Sequence, residues 1–149
     1  MAIEPAGTAD AAAIAGILSD WIDATDWMPR VHDRDEDRGF GAFLIDKTDV
    51  LVARDRAGRV VGFAAHDGPV VHALYLAGDA RGRRIGAALL DRIKGATGRI
   101  ELWTFQANSR ARRFYAREGL VEVELTDGDG NDEKLPDVRM IWQAEESHG

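Results

Sequence analysis

The sequence predicts an α/β fold, of the α+β kind, in which helices flank a mixed and mostly antiparallel sheet of about seven strands. Two observations support this prediction. Short apolar runs bounded by turn residues recur along the chain, as strands require, and between them apolar residues repeat at helical spacing. With 149 residues, 45% of them hydrophobic, the chain is long enough to fold as a single domain over residues 1–149.

The N-terminal part predicts a short edge strand followed by two helices. Residues 2–6 read AIEPA, and the proline limits such a strand to the edge of a sheet. Thr8 or Asp10 can cap the next helix, in which apolar residues recur at i, i+3, i+4, i+7 and i+8 from Ile14. Residues 36–47 predict a weaker second helix, because two glycines interrupt it.

The remainder of the chain predicts a strand meander and then alternating helices and strands. The meander covers residues 49–55, 59–67 and 70–78, with turn residues between its strands. After it we predict a helix over 83–95, a strand over 99–105, a helix over 108–119, and strands over 120–125 and 138–142. The strand at 120–125 alternates apolar and acidic residues, which is typical of a strand with one exposed face.

The composition excludes several classes of function. The chain has no cysteine, so a disulfide, a thiolate metal site and a cysteine nucleophile are excluded. The net charge of −7 argues against nucleic-acid binding, and the four histidines lack metal-ligand spacing, so we expect no metal. The sequence shows no signal peptide and no apolar run near ~18 residues, so we expect a cytoplasmic protein without a membrane partner. A homodimer is compatible with these features.

The strongest motif is the stretch RGRRIG, in which Arg81, Arg83 and Arg84 surround Gly82 and Gly86 at the start of a helix. The first N–H groups of a helix lack intrahelical partners, and the helix dipole adds partial positive charge there. Arginines add charge-assisted hydrogen bonds, and glycines let a phosphate approach the backbone closely. The stretch predicts an anion site; the alternative is a solvated basic helix start.

This stretch, extended to RGRRIGAALL, resembles the coenzyme A pyrophosphate loop of the GNAT superfamily of N-acetyltransferases, which reads Gln/Arg-x-x-Gly-x-Gly/Ala. Arg81 matches the first position of the loop and Gly86 the last, with Arg84 in place of the middle glycine. A register shifted to Arg83, Gly86 and Ala88 also satisfies the pattern.

A second stretch, NSRARRFYAREGL, resembles the family's Asn-x-x-Ala-x-x-Phe-Tyr-x-x-x-Gly-Phe helix, with Leu120 in place of the last Phe. The resemblance extends over essentially the whole chain and implies the three-layer GNAT fold with acetyl-CoA as cofactor. It also implies that residues 70–76 form a splayed strand, on which the backbone N–H of Leu76 or Tyr75 polarises the thioester. The implied cofactor-binding residues are Leu74, Tyr75, Leu76, Arg81, Gly82, Arg83, Arg84, Ile85, Gly86, Ala87, Asn108, Ala111 and Phe114.

Two candidate catalytic residues follow. Tyr115 stands where the family often has the acid that protonates the coenzyme A sulfur, and we expect Phe114 beside it to face the core. His72 lies on the strand that faces the cleft, and its ordinary pKa near ~6.5 suits a base. The alternatives are that Tyr115 fills core volume and that His72 is a satisfied histidine inside the sheet.

The acceptor site that the resemblance implies is lined by the first connection, with Trp27, Met28, Arg30 and His32. The alternative for the Trp-Met pair is a hydrophobic plug, and the acidic loop at 127–137 either attracts a cation or is simply solvated. We expect acetyl transfer to a primary amine of a small molecule or peptide by direct attack, since no cysteine is present. The alternative function is a coenzyme A-binding regulatory or partner-binding domain without turnover.

Overall fold

The computed structural model describes residues 2–29, 33–80 and 84–144, with only the backbone of Arg34. The strands of these residues are β1 (Ala2–Pro5), β2 (Asp49–Arg54), β3 (Val60–Asp67), β4 (Val70–Leu76), β5 (Arg99–Phe105), β6 (Val121–Leu125) and β7 (Asp137–Gln143). The helices are α1 (Ala11–Asp23), α2 (Arg34–Lys47), α3 (Ile85–Thr97) and α4 (Ser109–Arg117), and 3₁₀ turns cover Thr8–Asp10 and Gly78–Ala80.

The strands form one seven-stranded sheet in the order β1-β2-β3-β4-β5-β7-β6. Each neighbouring pair is antiparallel except β4 and β5, which run parallel. Parallel neighbours need a crossover connection, and α3 provides it here. The predicted fold class, a mixed and mostly antiparallel sheet flanked by helices, is confirmed.

Helices α1 and α2 cover one face of the sheet. Ile14 and Leu44 from these helices pack with Phe63 of β3 in a buried cluster. The glycine inside α2 has a packing reason, because a Cβ at Gly41 would lie only 2.7 Å from the backbone oxygen of Ala11. One of the two glycines that weakened the helix prediction is therefore needed to bring α1 and α2 together.

Helix α3 covers the opposite face, where its apolar residues pack with Ile100 and Leu102 of β5. The predicted end of this helix at Gly95 is wrong. The helix continues to Thr97, and Gly98, with φ of +70°, is the left-handed residue that follows its last turn. Gly95 stays helical because a single glycine only weakens a helix.

Of the two residues predicted to cap α1, Asp10 is its N-cap residue, but its side chain makes no capping hydrogen bond to the helix. The carboxylate of Asp10 instead accepts hydrogen bonds from the Gly7 N–H at 2.8 Å and from the Arg54 guanidinium at 2.8 and 3.0 Å. These hydrogen bonds from Arg54 lower the pKa of Asp10. Asp10 thus connects the start of α1 to β2 through Arg54.

The prediction that residues 120–125 have one exposed face is wrong for β6. This edge strand is exposed along its whole length, and Val121 and Leu125 keep 63% and 62% of their surface. The reason is its position, since β6 pairs only with β7. Among the described residues, the helices are each too short or too polar to cross a bilayer.

Candidate active site

The sheet opens between β4 and β5. The two parallel strands pair only at Val70 with Glu101 and at Val71 with Leu102, and then they diverge. The pairing of β4 with β3 skips His72, because Ala65 pairs with Ala73 and His66 with Val71. A residue left out of a ladder in this way is a β-bulge, which bends the strand. The bulge therefore stands where β4 turns away from β5.

The backbone of β4 beyond the bulge presents amide groups to this opening. The Ala77 N–H donates to the Val61 carbonyl at 2.8 Å, which fixes the alternation of hydrogen-bonded and non-hydrogen-bonded positions along the β3–β4 ladder. By this alternation Tyr75 directs its N–H to β3, whereas Leu74 and Leu76 direct theirs to the opening. Of the two amides predicted to polarise a thioester, the one on Leu76 is thus suitably placed.

The first turn of α3 borders the same opening. Arg84 is its N-cap residue and adopts a left-handed backbone, with φ of 62° and ψ of 19°. This conformation usually belongs to glycine, which is the residue that the GNAT loop has at the position of Arg84. A Cβ on Gly86 would lie 3.2 Å from Cζ of Phe114 and 3.7 Å from Cδ2 of Leu74, so the missing side chain lets α3 approach α4.

Helix α4 begins at the end of β5, on the far side of the opening. Asn108 caps it by accepting a hydrogen bond from the Ala111 N–H at 3.0 Å. Arg112 anchors its outer face by donating to both carboxylate oxygens of Glu122 at 2.7 and 2.8 Å and to the carbonyl of Gln106. These bonds fix which face of α4 points toward α3 and the opening.

A cavity of about 600 Å³ lies between β4, β5 and the starts of α3 and α4. All the described residues that the sequence predicts for catalysis or cofactor binding line it. They are His72, Leu74, Tyr75, Leu76, Arg84, Ile85, Gly86, Ala87, Asn108, Ala111, Phe114 and Tyr115. The three other residues of the predicted loop, Arg81, Gly82 and Arg83, lie outside the described residues.

The sequence analysis missed several lining residues, notably Trp21, Phe105 and Arg110. Trp21 belongs to the apolar stripe of α1 and carries no signal that separates it from a core residue. Phe105 ends β5, and its role depends on the divergence of two strands. Arg110 lies in the first turn of α4, and its place one residue after a helix start was the only available signal.

The expected division of labour between Phe114 and Tyr115 is wrong. Tyr115 is the more buried residue, with 7% of its surface exposed, and it belongs to the core cluster, whereas Phe114 is only partly buried. Their ring centroids lie 5.1 Å apart, and both rings face the cavity. The face of α4 that points inward includes both positions, since it carries residues at i, i+3 and i+4 from Ala111.

The environment of Tyr115 keeps its hydroxyl protonated. Burial raises the pKa of Tyr115 well above its ordinary value, and the nearby Tyr75 phenol adds to the effect. Burial also raises the pKa of Tyr75 to about 12, with a smaller contribution from the negative charge of Glu133. The two tyrosines are the only ones in the chain, and both line the cavity.

His72 is not a histidine enclosed within the sheet, because it is exposed and lines the cavity. Its Nε2 lies 2.9 Å from Oδ2 of Asp67, the last residue of β3. A carboxylate at this distance selects the tautomer and the orientation of an imidazole ring.

The predicted acceptor residues are divided by the structure. Trp27 lines a second cavity of about 290 Å³ beside the first, together with Trp21, Asp26 and Arg110. Met28 is buried, and neither of these two cavities in the described part of the chain includes it among its lining residues. Its side chain packs inward, so its assignment to the acceptor site is corrected. Arg30 and His32 lie outside the described residues.

The fold and the site define an acyltransferase-like domain, and comparisons with known proteins identify its family. The model of the acetyltransferase (GNAT) domain matches residues 46–122, more than half of the 149-residue chain. The chain therefore belongs to the GNAT acetyltransferase family, and its cofactor is acetyl-CoA. No curated protein matches it in sequence.

Solved structures share the fold at low sequence identity. YjaB from Escherichia coli, in its apo form, is 19% identical with a TM-score of 0.80, covering 97% of this chain and 98% of its own. YncA from Salmonella typhimurium, solved with acetyl-CoA, is 22% identical with a TM-score of 0.74, covering 100% and 96%. A ribosomal-protein-alanine N-acetyltransferase from Brucella melitensis is 22% identical with a TM-score of 0.74, covering 96% and 99%.

The residues around the larger cavity fit the cofactor of the family. The opening presents the Leu74 and Leu76 amides, the α3 start presents backbone N–H groups, and Arg84 adds a cation at its N-cap. The absence of a side chain at Gly86 leaves room for the Phe114 ring and the Leu74 side chain beside the first turn of α3. An anionic, extended molecule with a polar chain matches this set of donors.

Proposed function

We propose that this acetyltransferase transfers the acetyl group of acetyl-CoA to a primary amine by direct attack. One observation carries the proposal: a helix start with an arginine cap, an unpaired strand edge and a buried phenol all border one cavity. When bound, acetyl-CoA supplies the activated thioester. The chain has no cysteine that could accept the acetyl group first, which supports direct attack over a covalent cysteine intermediate.

Backbone N–H groups and one arginine side chain bind the cofactor in this proposal. The N–H groups in the first turn of α3 and the Arg84 guanidinium hold the phosphates in this proposal, which is supported by the position of Arg84 at the N-cap of α3 and in the lining of the cavity. The Leu76 N–H serves as the donor to the thioester oxygen, and the Leu74 N–H binds the chain that leads to it. Loss of one such oxyanion donor typically costs ~3 kcal/mol of transition-state stabilisation.

The proton that leaves with the thiolate comes from the hydroxyl of Tyr115 in this proposal. Because burial raises the pKa of Tyr115, its Oη carries a proton throughout the neutral range. Its position on α4, in the wall of the cavity, supports a role as general acid.

His72 is the candidate base that takes a proton from the amine. Its place at the bulge, where β4 and β5 begin to diverge, supports the assignment. Its hydrogen-bond partner Asp67 orients the ring and stabilises the imidazolium that results.

Release of free thiol from acetyl-CoA, measured over a panel of primary amines, tests the proposal. We expect at least one amine to raise the rate well above hydrolysis. Gly86→Glu should lower coenzyme A affinity by about 10- to 100-fold, because it places a side chain and a negative charge at the α3 start, where the phosphates bind in this proposal. Gly95→Glu, where open space surrounds the Cβ position, is the matched control and should leave affinity unchanged.

Two outcomes contradict the proposal. Hydrolysis alone across a broad panel, with coenzyme A still bound, would favour a regulatory domain without turnover. Equal coenzyme A affinity in Gly86→Glu and the wild type would move the cofactor away from the α3 start.

A further inference from the structure

Four aromatic side chains form a continuous wall on the α1 side of the opening. They are Trp21, Trp27, Tyr75 and Phe105, called the aromatic wall below. The Trp21 ring lies 5.1 Å from Tyr75 and 5.8 Å from Trp27, and the Trp27 ring lies 5.8 Å from Phe105. These separations are those of interacting rings.

The wall bridges the two diverging strands. Tyr75 belongs to β4 and Phe105 is the last residue of β5, so the two tryptophans of the N-terminal segment connect strands that no longer pair. The wall therefore lies across the opening from α4, whose residues include Tyr115. An acceptor that reaches the thioester from the α1 side must pass these rings.

The rings line space rather than fill it. Trp21, Tyr75 and Phe105 line the larger cavity, and Trp21 and Trp27 line the smaller one. All four rings are only partly buried, unlike Phe63 behind Tyr75, which is fully buried in the core. A hydrophobic plug would bury its rings against one another and leave no adjoining cavity.

We infer that the acceptor is a primary amine carried on an aromatic ring, an arylalkylamine, with its ring stacked on the aromatic wall. This inference rests on the proposed function and deepens it. Aromatic faces bind flat apolar groups and also attract the ammonium form in which an amine arrives. Apart from the two indole N–H groups and the Tyr75 hydroxyl, the wall presents apolar ring surface, so it suits such amines better than aminoglycosides or polyamines.

The charge around the wall supports a cationic acceptor. Glu133, in the loop between β6 and β7, lies near enough to Tyr75 for its negative charge to raise the pKa of that phenol. Asp26 lines the smaller cavity beside Trp21 and Trp27, and Arg110, which lines both cavities, carries the opposite charge. A carboxylate next to aromatic faces favours an ammonium group over a neutral or anionic one.

The test compares two primary amines of similar basicity, 2-phenylethylamine and n-butylamine, with spermidine as a third acceptor. With the full chain and saturating acetyl-CoA, we expect kcat/KM for 2-phenylethylamine to exceed that for n-butylamine by about tenfold, which corresponds to ~1.4 kcal/mol. Trp27→Leu should remove most of this preference through KM and leave the KM for acetyl-CoA unchanged. Trp27→Phe should restore most of it, because a ring is retained.

Phe43→Leu is the matched control, since this aromatic residue lies on α2 with 53% of its surface exposed, and it should change neither ratio. Equal kcat/KM for the two amines in the wild type, or a preference for spermidine, would overturn the inference and leave the proposed function standing. A loss in Trp27→Leu that is equal for both amines would overturn it too. If no amine is acetylated at all, the proposed function fails and the inference falls with it.

Discussion

The two sides of the opening between β4 and β5 are built by different means. On the α3–α4 side, the groups that face the cavity come from two short continuous stretches, and many of them belong to the backbone. On the α1 side, the aromatic wall consists of side chains from α1, the following turn, β4 and β5. A backbone site leaves a local motif in the sequence, whereas a side-chain site assembled from distant segments leaves none.

The difference matters for function. In the proposed function, the cofactor side consists of helix N–H groups and strand amides, whose geometry should persist when surface residues change. The proposed acceptor side consists of side chains, so a single substitution should change its specificity. The predictions below compare one residue on each side.

The two tyrosines provide the largest expected contrast. Tyr115→Phe removes the hydroxyl on the α4 side, and if it is the general acid, kcat should fall by about 10²–10⁴-fold. Tyr75→Phe removes the hydroxyl on the other side while keeping its ring, so kcat should change by only a few-fold. Steady-state kinetics with the best acceptor measure both. Wild-type kcat in Tyr115→Phe would return this residue to a packing role and leave water as the proton source.

The ionisation of the tyrosines is the second contrast. Burial raises the pKa of both phenols, that of Tyr75 to about 12 and that of Tyr115 further. The protonated form of each tyrosine therefore makes its full contribution to the free energy of unfolding below the unfolded-state pKa of ~10. This contribution is lost as the pH rises from there through the folded-state pKa.

The ultraviolet absorbance of tyrosinate measures this directly. The folded protein should show almost no tyrosinate at pH ~10, whereas the denatured chain should be about half ionised there. Tyr75→Phe and Tyr115→Phe assign the ionisation to one phenol at a time. A folded protein that titrates near pH ~10 would mean that water reaches these phenols freely.

Two left-handed residues provide the smallest contrast. Arg84 caps α3, with φ of 62°, and Lys134, in the loop between β6 and β7, has φ of 55°. The left-handed backbone costs each of these residues about 1–2 kcal/mol. Substitution by glycine removes this cost but adds chain entropy to the unfolded state, so the free energy of unfolding should rise by up to ~1 kcal/mol.

Only one of these two substitutions should change the affinity for coenzyme A. Arg84→Gly should weaken coenzyme A by several-fold and reduce the salt dependence of its affinity, because one guanidinium is lost. Lys134→Gly should leave both unchanged. Thermal unfolding and calorimetry at two salt concentrations test the pair, and equal coenzyme A affinity in both variants would show that Arg84 only shapes the turn.

The sequence predicted the helices and strands because each has its own periodicity and turn residues. Strand β5 was predicted with the bounds that the structure has, and its neighbours within a few residues. The errors fell where a local signal was ambiguous. The sequence predicts a helix end at Gly95, whereas Gly98 follows the last turn of α3. Asp10 is the N-cap residue of α1 as predicted, but its carboxylate bonds to Arg54, which is distant in sequence, and not to the helix.

The candidate site was predicted unevenly for a related reason. Asn108 is predicted from the capping signal of a helix start, and Gly86 and Tyr115 are predicted because they match two short stretches of the GNAT family. In the sequence, Trp21 and Phe105 cannot be told from ordinary apolar residues. Nothing in the sequence separates Met28, which is buried, from Trp27, which lines a cavity.

What the sequence determined by itself is the order of the elements and the membership of the family, and it predicts an anion site at the α3 start. Only the tertiary structure decided which amides of β4 face the opening, that Tyr115 is more buried than Phe114, and that four rings meet across the opening. The physical reason is range. Periodicity and capping act over a few residues, whereas the bulge at His72 and the divergence of β4 from β5 arise from pairing between segments far apart in the chain.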